Sequence, residues 1–147
     1  MSDKARDFLA VLEDFDGVGV FVRRDQPTGT WIFCVIHDDT LGPATGGCRM
    51  KVYDHPVDGL VDALRLAQGM TNKWAAMDFP FGGGKTVLAI PRPLNQEERR
   101  ALLHRFGALL NSLGGRYGTG ADFGTTTEDM QTIAEVSEYV IGVHGRT

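Results

Sequence analysis

Two lysines stand twelve residues apart, Lys73 in Gly69-Met70-Thr71-Asn72-Lys73 and Lys85 in Gly82-Gly83-Gly84-Lys85-Thr86, and Asp122 follows inside Gly120-Ala121-Asp122-Phe123-Gly124-Thr125. An ammonium is a compact charge that can hold a carboxylate, and an amine that has lost its proton is a base. A carboxylate beside them can steady a developing cation or pass protons. Glycine lets backbone approach a ligand closely, so lysines set in glycine-rich segments suggest an anion clamp next to a proton-transfer group. Such a site suits an amino acid, and the expectation is that the three side chains converge on one crevice. The alternative is that both lysines are solvated surface side chains, as most lysines are. Their glycine settings favour the first reading.

Other chemistries fit less well. Gly84-Lys85-Thr86 looks like the end of a phosphate-cradling P-loop, but Phe79 stands where that motif needs its first glycine. A P-loop also runs into a helix, whereas Thr86-Val87-Leu88-Ala89-Ile90 reads as a strand. Gly118, Gly120 and Gly124 have one residue too many for the dinucleotide fingerprint Gly-x-Gly-x-x-Gly. His37, His55, His104 and His144 are scattered without ligand spacing, so no metal site is expected. Cys34 and Cys48 read as free, buried thiols.

The elements that must position the lysines can be read from periodicity. Residues 3–14 carry Phe8, Leu9 and Leu12 at helical spacing. Val18, Val20 and Val22 alternate with other residues, Gln26-Pro27-Thr28-Gly29 makes a turn, and Thr30 to Ile36 forms a second strand of a hairpin. A glycine-rich loop through Gly42 and Gly47 leads to a third strand from Cys48 to Tyr53. Pro56 opens a helix with Val57, Leu60, Val61, Leu64 and Ala67 on one face, running to about Asn72 and leaving Lys73 at its carboxyl end. Val87 to Ile90 is a short buried strand bounded by Pro91 and Pro93. Asn95 and Glu98 form a capping pair for a helix whose stripe is Leu102, Leu103, Phe106, Leu109, Leu110 and Leu113, stopped by Gly114-Gly115. Arg116 to Thr119 suggests a further strand, and Thr126 or Thr127 caps a last helix. The glycine clusters at 42–47, 82–84 and 114–124 are all expected in loops. The pattern predicts the α/β class, a single three-layer-like domain with a mixed, partly antiparallel sheet flanked by helices.

The chain has 147 residues, 42% of them hydrophobic, which is enough for one domain with a real core and too few for a second. A net charge of -4 argues against a nucleic-acid partner. The amino terminus mixes acids and bases and leads into no apolar run long enough for a signal peptide or a membrane span, so a cytoplasmic protein with no membrane partner is expected.

The order of four blocks is more specific than any one motif. Leu41-Gly42-Pro43-Ala44-Thr45-Gly46-Gly47-Cys48-Arg49-Met50, then Asp62 through Gly69-Met70-Thr71-Asn72-Lys73, then Gly82-Gly83-Gly84-Lys85-Thr86-Val87, then Asp122-Phe123-Gly124-Thr125-Thr126 resembles the Glu/Leu/Phe/Val amino-acid dehydrogenase family. The likeness is strongest to its leucine and phenylalanine branch and covers that family's amino-terminal, substrate-binding and oligomerisation domain.

The resemblance implies oxidative deamination of an L-amino acid to its 2-oxo acid and ammonia, with hydride passing to NAD. It implies that Lys73 grips the substrate carboxylate, with Gly46, Gly47 and Met70 beside it. Lys85 would be the general base toward the attacking water, and Asp122 the proton shuttle at the amino nitrogen. Thr45 and Gly120 would line the side-chain pocket. With no further cation evidently placed to meet a side-chain carboxylate, an apolar substrate such as leucine, valine or phenylalanine is favoured. Family members carry a second, Rossmann domain for the cofactor. The expectation for residues 1–147 is therefore a substrate-binding domain of a homo-oligomer, with the Rossmann domain absent and no independent turnover. The competing expectation is a non-catalytic oligomerisation or small-molecule-binding module that retains the fold.

Overall fold

The computed structural model describes residues 3–143, with side chains described from Asp7 onward, so His144 lies outside the described residues. Helix α1 spans Asp3–Glu13 and is followed by β1, Gly19–Asp25, and β2, Thr30–Ile36. Strand β3, Ala44–Val52, precedes the long helix α2, Pro56–Ala76; then come β4, Gly82–Ile90, α3, Gln96–Ser112, β5, Tyr117–Ala121, and α4, Thr127–Ala134. The strands lie in one five-stranded sheet in the order β1-β2-β4-β3-β5. The pairs β1/β2 and β2/β4 are antiparallel, whereas β3 runs parallel to both β4 and β5. This is the mixed α/β architecture that the alternation of strand and helix patterns predicts.

Helices cover both faces of the sheet. On one side Phe33, Val35, Val87 and Ala89 meet Leu60, Ala63 and Ala67 of α2, with Phe8 and Leu12 of α1 packed against them. On the other, Ile32, Cys34, Cys48, Leu88 and Ile90 meet Leu102, Leu103, Phe106 and Leu110 of α3 and Met130 and Ile133 of α4. A fully buried leucine such as Leu60 contributes about 1.5–3 kcal/mol. Strand β4 is buried along its whole length because it has a strand on either side and a helix layer above and below.

Helix ends follow local chemistry. Asn95 and Glu98 form a reciprocal capping box at the start of α3, and Thr126 and Asp129 form another at α4. Gly114 and Gly115, both with positive φ, terminate α3.

Three expectations need correction. The triple glycine Gly82-Gly83-Gly84 is the start of β4, so Lys85 sits inside a central strand and not beyond a turn. Likewise β3 begins at Ala44, which makes Thr45, Gly46 and Gly47 strand residues, and β5 takes in Gly118 and Gly120. Glycine here serves close packing: a β-carbon at Gly83 would lie 2.0 Å from Thr71 Oγ1, and one at Gly46 only 1.7 Å from the Gly84 carbonyl oxygen. Helix α2 also runs on to Ala76, which places Lys73 in its last turn.

Candidate active site

Lys85 is 5% exposed. It pairs with Val35 across β2/β4 and so shares the sheet face of Val35 and Val87, beneath α2. An ammonium at that depth needs a partner, and Asp122 supplies it: Lys85 Nζ lies 3.3 Å from Asp122 Oδ2.

Asp122 is brought there by a tight turn after β5. Thr125 N–H donates to the Asp122 carbonyl at 3.0 Å, Asp122 N–H donates to Thr125 Oγ1 at 3.0 Å, and Thr125 Oγ1 donates to the Cys48 carbonyl at 2.7 Å. The turn is thereby tied to the middle of β3. Arg49 meets the same carboxylate, its Nε donating to Asp122 Oδ2 at 2.9 Å. Burial tends to raise the proton affinity of Asp122, but the Arg49 hydrogen bond and the Lys85 charge outweigh it and hold the carboxyl below the ordinary aspartate range.

The remaining residues named by the sequence surround the amino-terminal ends of β3 and β4. Met70 on α2 approaches Gly46, its Cγ 3.4 Å from where a β-carbon would be. Trp74 Nε1 donates to the Thr45 carbonyl at 3.0 Å, which pins the end of α2 to β3. Thr45 is buried, and its hydroxyl donates to the Pro43 carbonyl at 3.2 Å. Gly47 pairs with Gly120 across β3/β5, and a β-carbon at Gly120 would press on Ile141 Cγ1 at 3.1 Å. Lys73 is exposed, its ammonium 5.9 Å from the Trp74 ring centroid. Among the described residues it makes no ion pair with Asp122. The structure thus joins Lys85 to Asp122 and leaves Lys73 a turn away from Met70, on the solvent side.

Sequence reasoning gave no role to Arg49, Asp62 or Tyr53. Arg49 Nη1 lies 3.6 Å from Asp62 Oδ2, and Tyr53 donates its hydroxyl to the same oxygen at 2.7 Å. The signal for Arg49 was its period-two spacing from Gly47 on β3, which sends it to the same face as Lys85.

Gly84-Lys85-Thr86 is strand in the structure and not a phosphate loop. Lys85 follows strand glycines, and the amino terminus of α4 is closed by its own capping box, with Asp129 Oδ2 accepting from Thr126 N–H at 2.9 Å where a pyrophosphate would have to sit. Also among the described residues, no group of three His, Cys, Asp or Glu side chains is placed to hold a metal, and no helix is long and apolar enough to cross a membrane.

Fold and site together define an α/β domain that buries a lysine against a carboxylate at the junction of two parallel strands, under the helix carrying a second lysine. The chain belongs to the family described as Glu/Leu/Phe/Val dehydrogenase, dimerisation domain, whose model matches residues 22–139. The leucine dehydrogenase of Geobacillus stearothermophilus is 43% identical over 133 residues, covering 90% of this chain and 35% of that protein. The phenylalanine dehydrogenase of Bacillus thermotolerans is 41% identical over 141 residues, covering 91% and 36%. The crystal structure of L-tryptophan dehydrogenase from Nostoc punctiforme matches with a TM-score of 0.79 at 34% identity, over 90% of this chain and 38% of that one. The hetero-hexameric glutamate dehydrogenase from Thermus thermophilus, in its Leu-bound form, shares the fold with a TM-score of 0.71 at 23% identity, over 97% and 40%. The chain spans little more than a third of the length of these curated relatives.

Proposed function

We propose that this chain is the substrate-binding domain of an oxidoreductase that oxidatively deaminates an L-amino acid with an apolar side chain, leucine, valine or phenylalanine, to the 2-oxo acid and ammonia. The observation that carries this reading is the buried Lys85 ammonium held 3.3 Å from the Asp122 carboxylate. Lys73, on the exposed last turn of α2, closes on the substrate carboxylate, and the contacts of Met70 with Gly46 and of Trp74 with Thr45 keep that turn over β3. Asp122 takes and returns protons at the substrate nitrogen and stabilises the cationic imine. Lys85, in its neutral form, removes a proton from the water that attacks the imine carbon, and collapse of that adduct releases ammonia. NAD is the hydride acceptor in this reading, held by a Rossmann domain outside these residues.

Thr45 and Gly120 belong to the side-chain pocket. The apolar preference is supported by the state of the neighbouring cation: the Arg49 charge is already countered by Asp122 and Asp62. A cytoplasmic homo-oligomer, with no membrane or nucleic-acid partner, goes with this activity. A second reading is a non-catalytic oligomerisation or small-molecule-binding module; β1 is an edge strand that exposes Val22, which suits pairing between copies.

The test is turnover of L-leucine, L-valine and L-phenylalanine with NAD, by this chain alone and by the longer protein that carries it. Activity is expected in the longer form only, with kcat lowered about 100-fold or more by Lys85→Ala and by Asp122→Asn. Absence of turnover from both forms favours the module.

A further inference from the structure

Asp122 is held from two sides, and only one of them has a role in the proposed reaction. Both cations contact the same oxygen: Arg49 Nε donates to Oδ2 at 2.9 Å, and Lys85 Nζ stands 3.3 Å from it. Among the described residues no hydrogen bond from Arg49 reaches Oδ1. Arg49 is itself anchored. Its Nη1 faces Asp62 Oδ2 at 3.6 Å, and its guanidinium carbon lies 5.8 Å from the centroid of the Phe123 ring. Asp62 in turn is fixed on α2 by the Tyr53 hydroxyl at 2.7 Å and by Arg65 Nη2 at 3.0 Å. A continuous polar chain therefore runs from the surface of α2, through Asp62 and Arg49, to the carboxylate over Lys85.

We propose that Arg49 is a positioning residue for Asp122: braced by Asp62, it fixes Oδ2 so that Oδ1 is presented to the substrate nitrogen. This rests on the deaminase reading above. The physical argument is geometric. A carboxylate with Lys85 as its sole partner could rotate about its Cβ–Cγ bond and follow that flexible ammonium. A planar guanidinium held between two carboxylates does not rotate, and it fixes the direction of the hydrogen bond it donates. Arg49 also keeps Asp122 ionised, the form that receives a cationic nitrogen.

The test uses the longer, active protein with L-leucine or L-phenylalanine and NAD. Arg49→Gln is expected to lower kcat at least 10-fold while changing KM for the amino acid less than about 3-fold, and to move the acid limb of the kcat–pH profile upward, because removing the guanidinium charge favours the protonated form of the site. Arg49→Lys should recover part of kcat, because charge returns without the fork geometry. Asp62→Asn should give a smaller loss of the same kind, and the double variant Arg49→Gln/Asp62→Asn should be little worse than Arg49→Gln, since both act through one contact. If Arg49→Gln fails to fold, Arg49→Lys carries the test: the charge is kept and the fork geometry lost, so kcat should fall with the acid limb in place, and an unchanged kcat overturns the assignment. The assignment is overturned if a folded Arg49→Gln keeps kcat within 2-fold with an unmoved acid limb, or if the Arg49 and Asp62 losses multiply. Lys85→Ala and Asp122→Asn separate the levels: absence of turnover from the longer protein itself sinks the deaminase reading, retained turnover in these two variants sinks the roles given to Lys85 and Asp122, and their inactivity beside a fully active Arg49→Gln sinks only the positioning role.

Discussion

Asp122 folds back over Gly47, where a β-carbon would come 2.7 Å from the Asp122 β-carbon. The two residues belong to neighbouring segments, Gly47 in β3 and Asp122 just past β5, and the missing side chain at 47 is the space through which the carboxylate reaches Lys85.

Gly47→Ala is accordingly expected to push the Asp122 turn away from β3 and lengthen the ion pair with Lys85. Overpacking of this kind costs about 1–3 kcal/mol. The loss of deaminase activity should exceed the loss of stability, because the displaced group is the one proposed to handle protons. Paired measurements of urea midpoint and kcat would check this; wild-type kcat in the alanine variant would show that the carboxylate can reach Lys85 by another route.

Stability should fall steeply in acid. Burial raises the proton affinity of Asp25, Asp122 and Asp129, but hydrogen bonds from Arg105, Arg49 and Arg99 respectively overcome it, and each carboxyl titrates below its ordinary value. A depressed folded-state pKa contributes stability that is fully present above the unfolded value, about 3.9 for aspartate, and is lost as pH drops through the folded value. Urea midpoints should therefore be level near neutrality and decline below about pH 4. Asp129→Asn should flatten part of that decline, since it removes one titrating group. A midpoint as high at pH 3 as at pH 7 would contradict the assignment.

Gly69 offers a contrast with Gly47. It lies within α2, exposed, and a β-carbon there meets nothing within 4 Å. Gly69→Ala should raise stability by about 0.5–1 kcal/mol, the usual gain for replacing a helical glycine by alanine, and so raise the melting temperature. A lower melting temperature would mean that α2 needs conformational freedom at this position.

Much of this molecule was legible in its residues. Asn95 with Glu98 and Thr126 marked helix starts that the structure closes with full capping boxes, because capping depends on side chains three residues apart and on nothing distant. The stripe from Leu102 to Leu110 likewise gave α3 and its buried face. The glycine segments misled: Gly46 and Gly82 to Gly84 are strand, since the chain was read for conformational freedom when its glycines serve contact with Thr71, Tyr117 and neighbouring backbone.

By itself the sequence determined the order of elements, the Asn95–Glu98 capping pair, the identity of the family and the candidate trio Lys73, Lys85 and Asp122, all of them properties of residue type and spacing along the chain. Only the tertiary structure decided that Lys85 is buried in a central strand, that Asp122 shares one oxygen between Lys85 and Arg49, and that Asp62 of α2, held by Tyr53 just past β3, backs that contact. Asp122 and Arg49 are 73 positions apart, and a parallel β3/β5 pair sets their meeting, so no local periodicity could announce it.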